Sequence, residues 1–117
     1  MLHPEVSRRM NAIVADVRRR GIPIRVTSMY RSTSSQDRLY RAWIARGKTG
    51  LPAARPGLST HEYGVAFDAV WPPQHDAAVA AIAKQHGMVW FGLADRVHFD
   101  VFGSKRWNEM LRSVGLI

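Results

Sequence analysis

The sequence of 117 residues predicts one small α+β domain, residues 1–117, with a small, mainly antiparallel sheet flanked by helices. Amphipathic and alternating segments follow one another in the order α-β-α-β-α-β-β-α, and the last two strands are close enough to form a hairpin. No internal repeat and no long linker divides the chain. A composition of 46% hydrophobic and 22% charged residues is typical of a globular domain.

The first two elements are a helix over residues 4–20 and a short strand over Ile24–Ser28. Apolar residues recur at helical spacing in the first segment, and most of its arginines lie off that stripe. Gly21 and Pro23 end the helix. The alternation of apolar and polar residues that follows predicts the strand.

A second helix is expected to begin near Thr33, because Thr33, Ser34 and Ser35 offer N-caps. Gln36 or Asp37 stands three residues farther on, as a capping box requires. We expect the helix to end near Gly47. Its inward face should carry Leu39, Trp43 and Ile44.

The remaining elements follow a loop over residues 47–60, which is rich in Gly, Pro and small residues. We predict a strand at Val65–Val70, a helix over about 73–86, strands at Met88–Phe91 and Val97–Phe102, and a last helix over about 104–114.

The charge and the lack of cysteine narrow the classes of function. Lys and Arg number 17 against 9 Asp and Glu, so the chain should bind polyanions, either nucleic acid or the anionic polymers of a bacterial cell wall. Without cysteine, any metal must be held by His, Asp and Glu. No segment has the ~20 apolar residues of a membrane span, and the N-terminus lacks a secretory signal. We therefore expect synthesis in the cytoplasm.

Two clusters mix metal-ligand residue types with turn residues, at Ser59–Asp68 and at Asp95–Asp100. His61 ends the loop, Asp68 lies in a predicted strand and His98 lies in a neighbouring strand. Two imidazoles and a carboxylate can form three corners of a tetrahedron, which leaves the fourth for water, as in catalytic zinc sites. The alternative is structural, since a lone His is more often hydrogen-bonded than ligating.

Asp95 and Asp100 flank His98 and have different expected roles. Asp95, three residues before His98, could accept a proton from the water. Asp100 shares the strand face of His98 and could orient it, or it could pair with one of the many arginines.

The pattern S-x-H-x-x-G-x-A-x-D at residues 59–68, followed by D-x-x-H-F at 95–99, resembles a family of zinc peptidases. These are the D-alanyl-D-alanine carboxypeptidases and L-alanyl-D-glutamate endopeptidases that cut peptidoglycan stem peptides, including VanY-like and endolysin peptidases. Ser28-Met29-Tyr30-Arg31-Ser32 and then Gln36 are similar to a third family segment, although Met29 replaces its usual glycine. The resemblance implies the small α+β fold that the family shares with the hedgehog signalling domain.

The resemblance also implies a role for each matching residue. Zinc would be the cofactor, held by His61, Asp68 and His98, and Asp95 would be the catalytic acid and base. Arg31 would support the substrate and its polarised carbonyl. The other substrate-binding positions implied are Ser59, Gln36, Tyr30 and Ser32.

The expected function is that of an endolysin-like L-alanyl-D-glutamate endopeptidase acting as a monomer on the stem peptides of an anionic cell wall, with phage-type release. A D-alanyl-D-alanine carboxypeptidase of the same family is the near alternative. A non-catalytic, zinc-containing module that binds the wall is a second alternative. A nucleic-acid-binding domain is supported by charge alone, because no recognition-helix, RNP-like or finger motif occurs in the sequence.

Overall fold

The computed structural model describes residues 1–101, so the helix expected at 104–114 lies outside the described residues. The predicted order of the other elements is confirmed. The helices are α1 (Pro4–Arg19), α2 (Thr33–Ala45) and α3 (Asp76–Gln85), and the strands are β1 (Arg25–Ser28), β2 (Ala66–Val70), β3 (Val89–Trp90) and β4 (His98–Asp100). Short 3-10 helices occupy Thr60–Tyr63, Pro73–His75 and Gly92–Ala94.

The four strands of residues 1–101 form one antiparallel sheet in the order β1-β2-β4-β3. The predicted α+β class with a small antiparallel sheet is therefore confirmed. In the register of β2 and β4, Asp68 stands opposite His98, and Phe67 stands opposite Phe99. On the other side of β2, Asp68 pairs with Ser28 after an irregularity in β1. Because side chains alternate along a strand, this register sends polar residues to one face and aromatic residues to the other.

The hydrophobic core lies between that aromatic face and helices α1 and α3. Phe67 and Phe99 are fully buried and stack with ring centroids 4.7 Å apart. The helices contribute buried aliphatic side chains at helical spacing, as the sequence predicted for α1. The core residues of the two helices are Val6, Met10, Ile13 and Val17 of α1 and Val79, Ile82 and Ala83 of α3.

The expectations for α2 are wrong in two respects. The N-cap is Ser32, whose hydroxyl accepts a hydrogen bond from Ser35 N at 3.2 Å. The predicted inward face is also not a core face, since Leu39 is 44% and Ile44 41% exposed. Gln36 is the buried residue of the helix. The reason is that α2 borders an open cleft, described below, rather than the core.

No helix among residues 1–101 is long and apolar enough to cross a membrane.

Candidate metal centre and active-site cleft

His61 is held by a turn that its neighbours cap on both sides. Ser59 Oγ accepts a hydrogen bond from His61 N at 3.2 Å. Ser59 also forms a capping box with Glu62, whose carboxylate accepts a hydrogen bond from Ser59 N at 3.3 Å. Gly64 ends the turn in the left-handed conformation, with φ of 70°. The Glu62 carboxylate also accepts from Gly57 N, so this acid supports the turn.

The turn and the two central strands bring His61, Asp68 and His98 together, as the sequence predicted. His61 Nε2 lies 3.0 Å from Asp68 Oδ1 and 3.2 Å from His98 Nδ1, and His98 Nδ1 lies 3.2 Å from Asp68 Oδ1. When one ligand atom is taken from each residue, the three atoms lie within 4.8 Å of one another. These three residues could therefore hold a metal ion.

The outer nitrogens of both imidazoles are also bound, which fixes their tautomers. His61 Nδ1 lies 2.8 Å from Met29 O, an acceptor, so Nδ1 must carry the proton and Nε2 is free for a metal. His98 Nε2 lies 3.1 Å from Asp100 Oδ2 and 3.1 Å from Thr60 Oγ1. A proton on Nε2 directed at the buried carboxylate of Asp100 leaves Nδ1 as the ligand atom. Asp100 therefore orients His98, the first of its two expected roles.

The electrostatics of this cluster favour a positive charge at its centre. Burial opposes a charge on His98, but hydrogen bonds with Asp100 and Asp68 outweigh it and raise the pKa of His98 to about 9. Burial acts to raise the pKa of Asp68, but hydrogen bonds with His61 and His98 outweigh it and hold that pKa well below its usual range. The carboxylates of Asp68 and Asp100 thus stabilise a positive charge at His98. When no metal is bound, protonation of the imidazole provides that charge.

Asp95 lines the same cleft as the three candidate ligands. The 3-10 helix Gly92–Ala94 delivers it, and Asp95 O accepts a hydrogen bond from His98 N at 3.1 Å, which ties it to the start of β4. Burial raises the pKa of the Asp95 carboxyl above its ordinary value. A raised pKa suits a carboxyl group that must both accept and donate a proton near neutral pH.

Arg31 is fixed beside the candidate ligands by several contacts. Its Nη1 donates to Gln36 Oε1 at 2.8 Å and its Nη2 donates to Ser28 Oγ at 2.9 Å, with Asp68 Oδ2 at 3.9 Å. Arg31 N donates to His61 O at 3.1 Å. The guanidinium therefore has a defined position on the cleft wall and is not a freely solvated side chain.

The other predicted site residues divide into two groups. Gln36 and Ser59 are buried residues of the cleft wall, and Gln36 Nε2 also donates to Ala54 O at 2.6 Å. Tyr30 and Ser32 are not among the residues that line the cleft. Tyr30 is 47% exposed beside a separate depression along β1, and Ser32 caps α2. A substrate contact for these two residues stays a prediction.

The cleft has a volume of about 350 Å³. Several of the residues that line it are not predicted by the sequence. Thr60, whose hydroxyl reaches His98, sits inside the sequence motif but carries no signal of its own. Other residues come from α2 and the loop after it, where nothing in the sequence distinguishes a cleft from a core face. The added lining residues include Leu39, Arg46, Leu51, Pro52 and Leu58.

The fold and this site together define a class, that of small α+β domains with a candidate His-Asp-His metal centre on a central pair of antiparallel strands. The family model of VanY, described as D-alanyl-D-alanine carboxypeptidase, matches residues 1–101. The chain belongs to this family, which confirms the resemblance predicted from its motifs.

Individual relatives agree with this assignment. The chain is 30% identical to the peptidoglycan L-alanyl-D-glutamate endopeptidase CwlK of Bacillus subtilis, over 78% of this chain and 65% of that protein. The LdcB LD-carboxypeptidase superimposes with a TM-score of 0.74 at 23% identity, over 97% of this chain and 71% of that one. A vancomycin-resistance D,D-pentapeptidase VanY in complex with Zn(II) superimposes with a TM-score of 0.74 at 16% identity, over 85% of this chain and 71% of that one. These two structures show the fold.

Proposed function

We propose that this chain is a zinc-dependent peptidase that hydrolyses peptidoglycan stem peptides as an L-alanyl-D-glutamate endopeptidase. The observation that carries the proposal is that one cleft is lined by His61, Asp68, His98, Asp95 and Arg31. The activity named for the Bacillus subtilis relative, which matches 78% of this chain, supports the choice of bond.

The donor set suits zinc. Two imidazole nitrogens and one carboxylate oxygen are ligands of catalytic zinc, and such sites keep one position open. The bonds from His61 to Met29 O and from His98 to Asp100 are the outer contacts that hold zinc-ligating imidazoles. When bound, the ion would act as a Lewis acid and would lower the pKa of water.

The other residues of the cleft supply proton transfer and substrate positioning. Asp95 would accept the proton of the attacking water and return it to the leaving amine, which its raised pKa favours. Arg31, with its fork held by Gln36 and Ser28, would face the carbonyl oxygen of the scissile bond and stabilise its developing charge. Peptide and anionic wall would both be attracted by the excess of basic residues.

A D-alanyl-D-alanine carboxypeptidase is the second candidate, and the description of the matching family favours it. Its substrate ends in a carboxylate, which a planar guanidinium such as that of Arg31 can bind through two hydrogen bonds. The released product distinguishes the two activities, because an endopeptidase creates new amino termini within the peptide and the carboxypeptidase releases free D-alanine.

The test is digestion of purified peptidoglycan fragments by the zinc-loaded protein, with and without a chelator, beside two variants. Asp95→Asn removes the proposed proton acceptor with little change of shape. Asp37→Asn makes the same change on α2, where the carboxylate pairs with Arg41 outside the cleft. We expect Asp95→Asn to keep its zinc and lose activity by about 100-fold or more, and Asp37→Asn to match the wild type.

Each outcome decides between the candidates. Chelator-sensitive cleavage that Asp95→Asn abolishes supports the peptidase, and the product names the bond. One zinc per chain without cleavage of any wall type would favour a binding module instead. A protein that binds no zinc would contradict the proposal as a whole.

A further inference from the structure

The cleft extends well beyond the candidate metal centre, along one face of α2. Gln36 and Leu39 of α2 line it together with Arg46, the C-cap residue of the same helix, at spacings of i, i+3 and i+10. Residues at these spacings lie on one side of a helix. Ten residues of helix span about 15 Å, so the Arg46 end of the cleft is far from the Gln36 end, where Arg31 and the candidate ligands lie.

Arg46 differs from Arg31 in the state of its donors. Its Nε donates to Thr49 O at 2.9 Å, and Thr49 Oγ1 donates back to Arg46 O at 2.8 Å, so the turn after α2 holds the guanidinium. Within residues 1–101, no hydrogen bond or ion pair engages its two terminal nitrogens. Arg46 therefore presents unused N–H donors at the edge of the cleft.

The sequence around Arg46 is positively charged and contains no acidic residue that could neutralise it. Residues 38–61 contain five Lys and Arg and no Asp or Glu. Apolar side chains line the same cleft as Arg46, with Leu39 44% and Leu51 54% exposed. A cation with free donors next to an exposed apolar surface fits a ligand that carries a carboxylate beside an aliphatic segment.

We propose that Arg46 is a specificity-determining residue that binds a carboxylate of the peptide substrate at a second point, distant from the scissile bond. This inference rests on the proposed peptidase function and extends it. A separation of about 15 Å corresponds to four or five residues of extended peptide. The cleft is accordingly built for an extended stem peptide with an acidic group four or five residues from the bond that is cut, and not for a dipeptide.

The test uses synthetic peptides around an L-alanyl-D-glutamate bond, in matched pairs with a free carboxylate or a primary amide. The position of that group is moved from one to five residues away from the bond, on either side. Zinc-loaded wild type is compared with Arg46→Gln, Arg46→Lys and Arg38→Gln. Arg38 is an exposed arginine of the same helix that does not line the cleft, so its variant controls for net charge.

We expect Arg46→Gln to raise KM about fivefold to tenfold for peptides with the distal carboxylate, with kcat unchanged. The amide peptides should not distinguish Arg46→Gln from wild type, and Arg46→Lys should keep part of the preference. The preference should weaken with added salt, because Arg46 is exposed. Equal losses in Arg46→Gln and Arg38→Gln, or no preference for the carboxylate in wild type, would overturn the proposal.

The same peptides, now carrying a fluorescent label, are used to measure dissociation constants by anisotropy, independently of turnover. If wild type cleaves no peptide, the proposed function fails, and the dissociation constants still decide whether Arg46 recognises the distal carboxylate. A Kd that is the same for acid and amide peptides at every position would refute the inference even in an active enzyme.

Discussion

Gly64 lies where the chain leaves no room for a Cβ atom, so substitution by alanine should be destabilising. Its φ is 70°, and the Cβ of an alanine at this position would overlap Met1 O and lie 3.1 Å from His3 N. Gly64 O also accepts a hydrogen bond from His3 N at 2.8 Å. The start of the chain thus packs directly on the turn that carries His61, so Gly64→Ala must both strain the turn and displace the N-terminal segment.

The expected loss of stability has two separable parts. An L residue in the left-handed conformation costs about 1–2 kcal/mol. Displacing the N-terminal segment breaks the bond from His3 N, which adds about 1 kcal/mol. We therefore expect Gly64→Ala to lower the free energy of unfolding by about 2–3 kcal/mol, and to weaken zinc binding because Gly64 ends the turn at His61.

Gly21→Ala is the matched control. Gly21 has φ of 75°, nearly the same as Gly64, but among residues 1–101 no atom lies within 4 Å of the position of its Cβ. The backbone strain and the effect of alanine on the unfolded chain are shared by the two variants, so they cancel in the difference. Chemical denaturation gives the two free energies of unfolding, and competition with a chelator gives the two zinc affinities.

The difference between these variants should be about 1 kcal/mol or more, with zinc affinity reduced only in Gly64→Ala. Equal destabilisation with equal zinc affinity would refute the argument, because it would mean that the close approach of Met1 and His3 does not constrain Gly64. The glycine of the H-x-x-G pattern would then be explained by its φ alone.

Three further predictions concern the cluster around His98 and the position of Arg31. Asp100→Asn should lower zinc affinity about 10–100-fold in chelator competition, because the carboxylate that orients His98 is lost, and an unchanged affinity would contradict this role. In protein from which a chelator has removed the metal, the free energy of unfolding should fall by up to about 3 kcal/mol as the pH rises from 6.5 to about 9. The sign follows because the folded-state pKa of His98 is raised, so its stabilising charge is present below 6.5 and is lost as the pH rises through 9. Denaturation at stepped pH measures this, and a flat profile would count against it. Arg31→Lys should keep its zinc but lose about tenfold or more in kcat/KM, since an ammonium cannot replace the fork that Gln36 and Ser28 hold.

Much of the fold could be predicted because local signals agree with it. The apolar spacing of α1 and the glycine that follows it gave a boundary within a residue of the observed Arg19. The apolar spacing of α2 predicts a core face, and this prediction is wrong because spacing shows that a helix has an apolar face but not what covers it. In this chain Leu39 faces an open cleft, so tertiary position overrode the pattern.

The candidate site was predictable where its residues fall inside the two sequence patterns at 59–68 and 95–99, and less so where they do not. His61, Asp68 and His98 were singled out by type and spacing, and the structure brings them together. Arg46 gave no signal, since it is one of fourteen arginines and its distance from the motif hides its place in the cleft. Only the direction of α2 relative to the sheet reveals it.

The candidate metal centre and the hydrophobic core are set by the same strand register. Asp68 and His98 face each other across β2 and β4, and the adjacent pair Phe67 and Phe99 stacks on the opposite face of the sheet. A slip of one strand by one residue would turn its candidate ligand towards the core and its aromatic ring towards the cleft, which would bury charge and expose aromatic surface. The aromatic pair therefore helps to fix the geometry of the candidate ligands from the opposite face of the sheet.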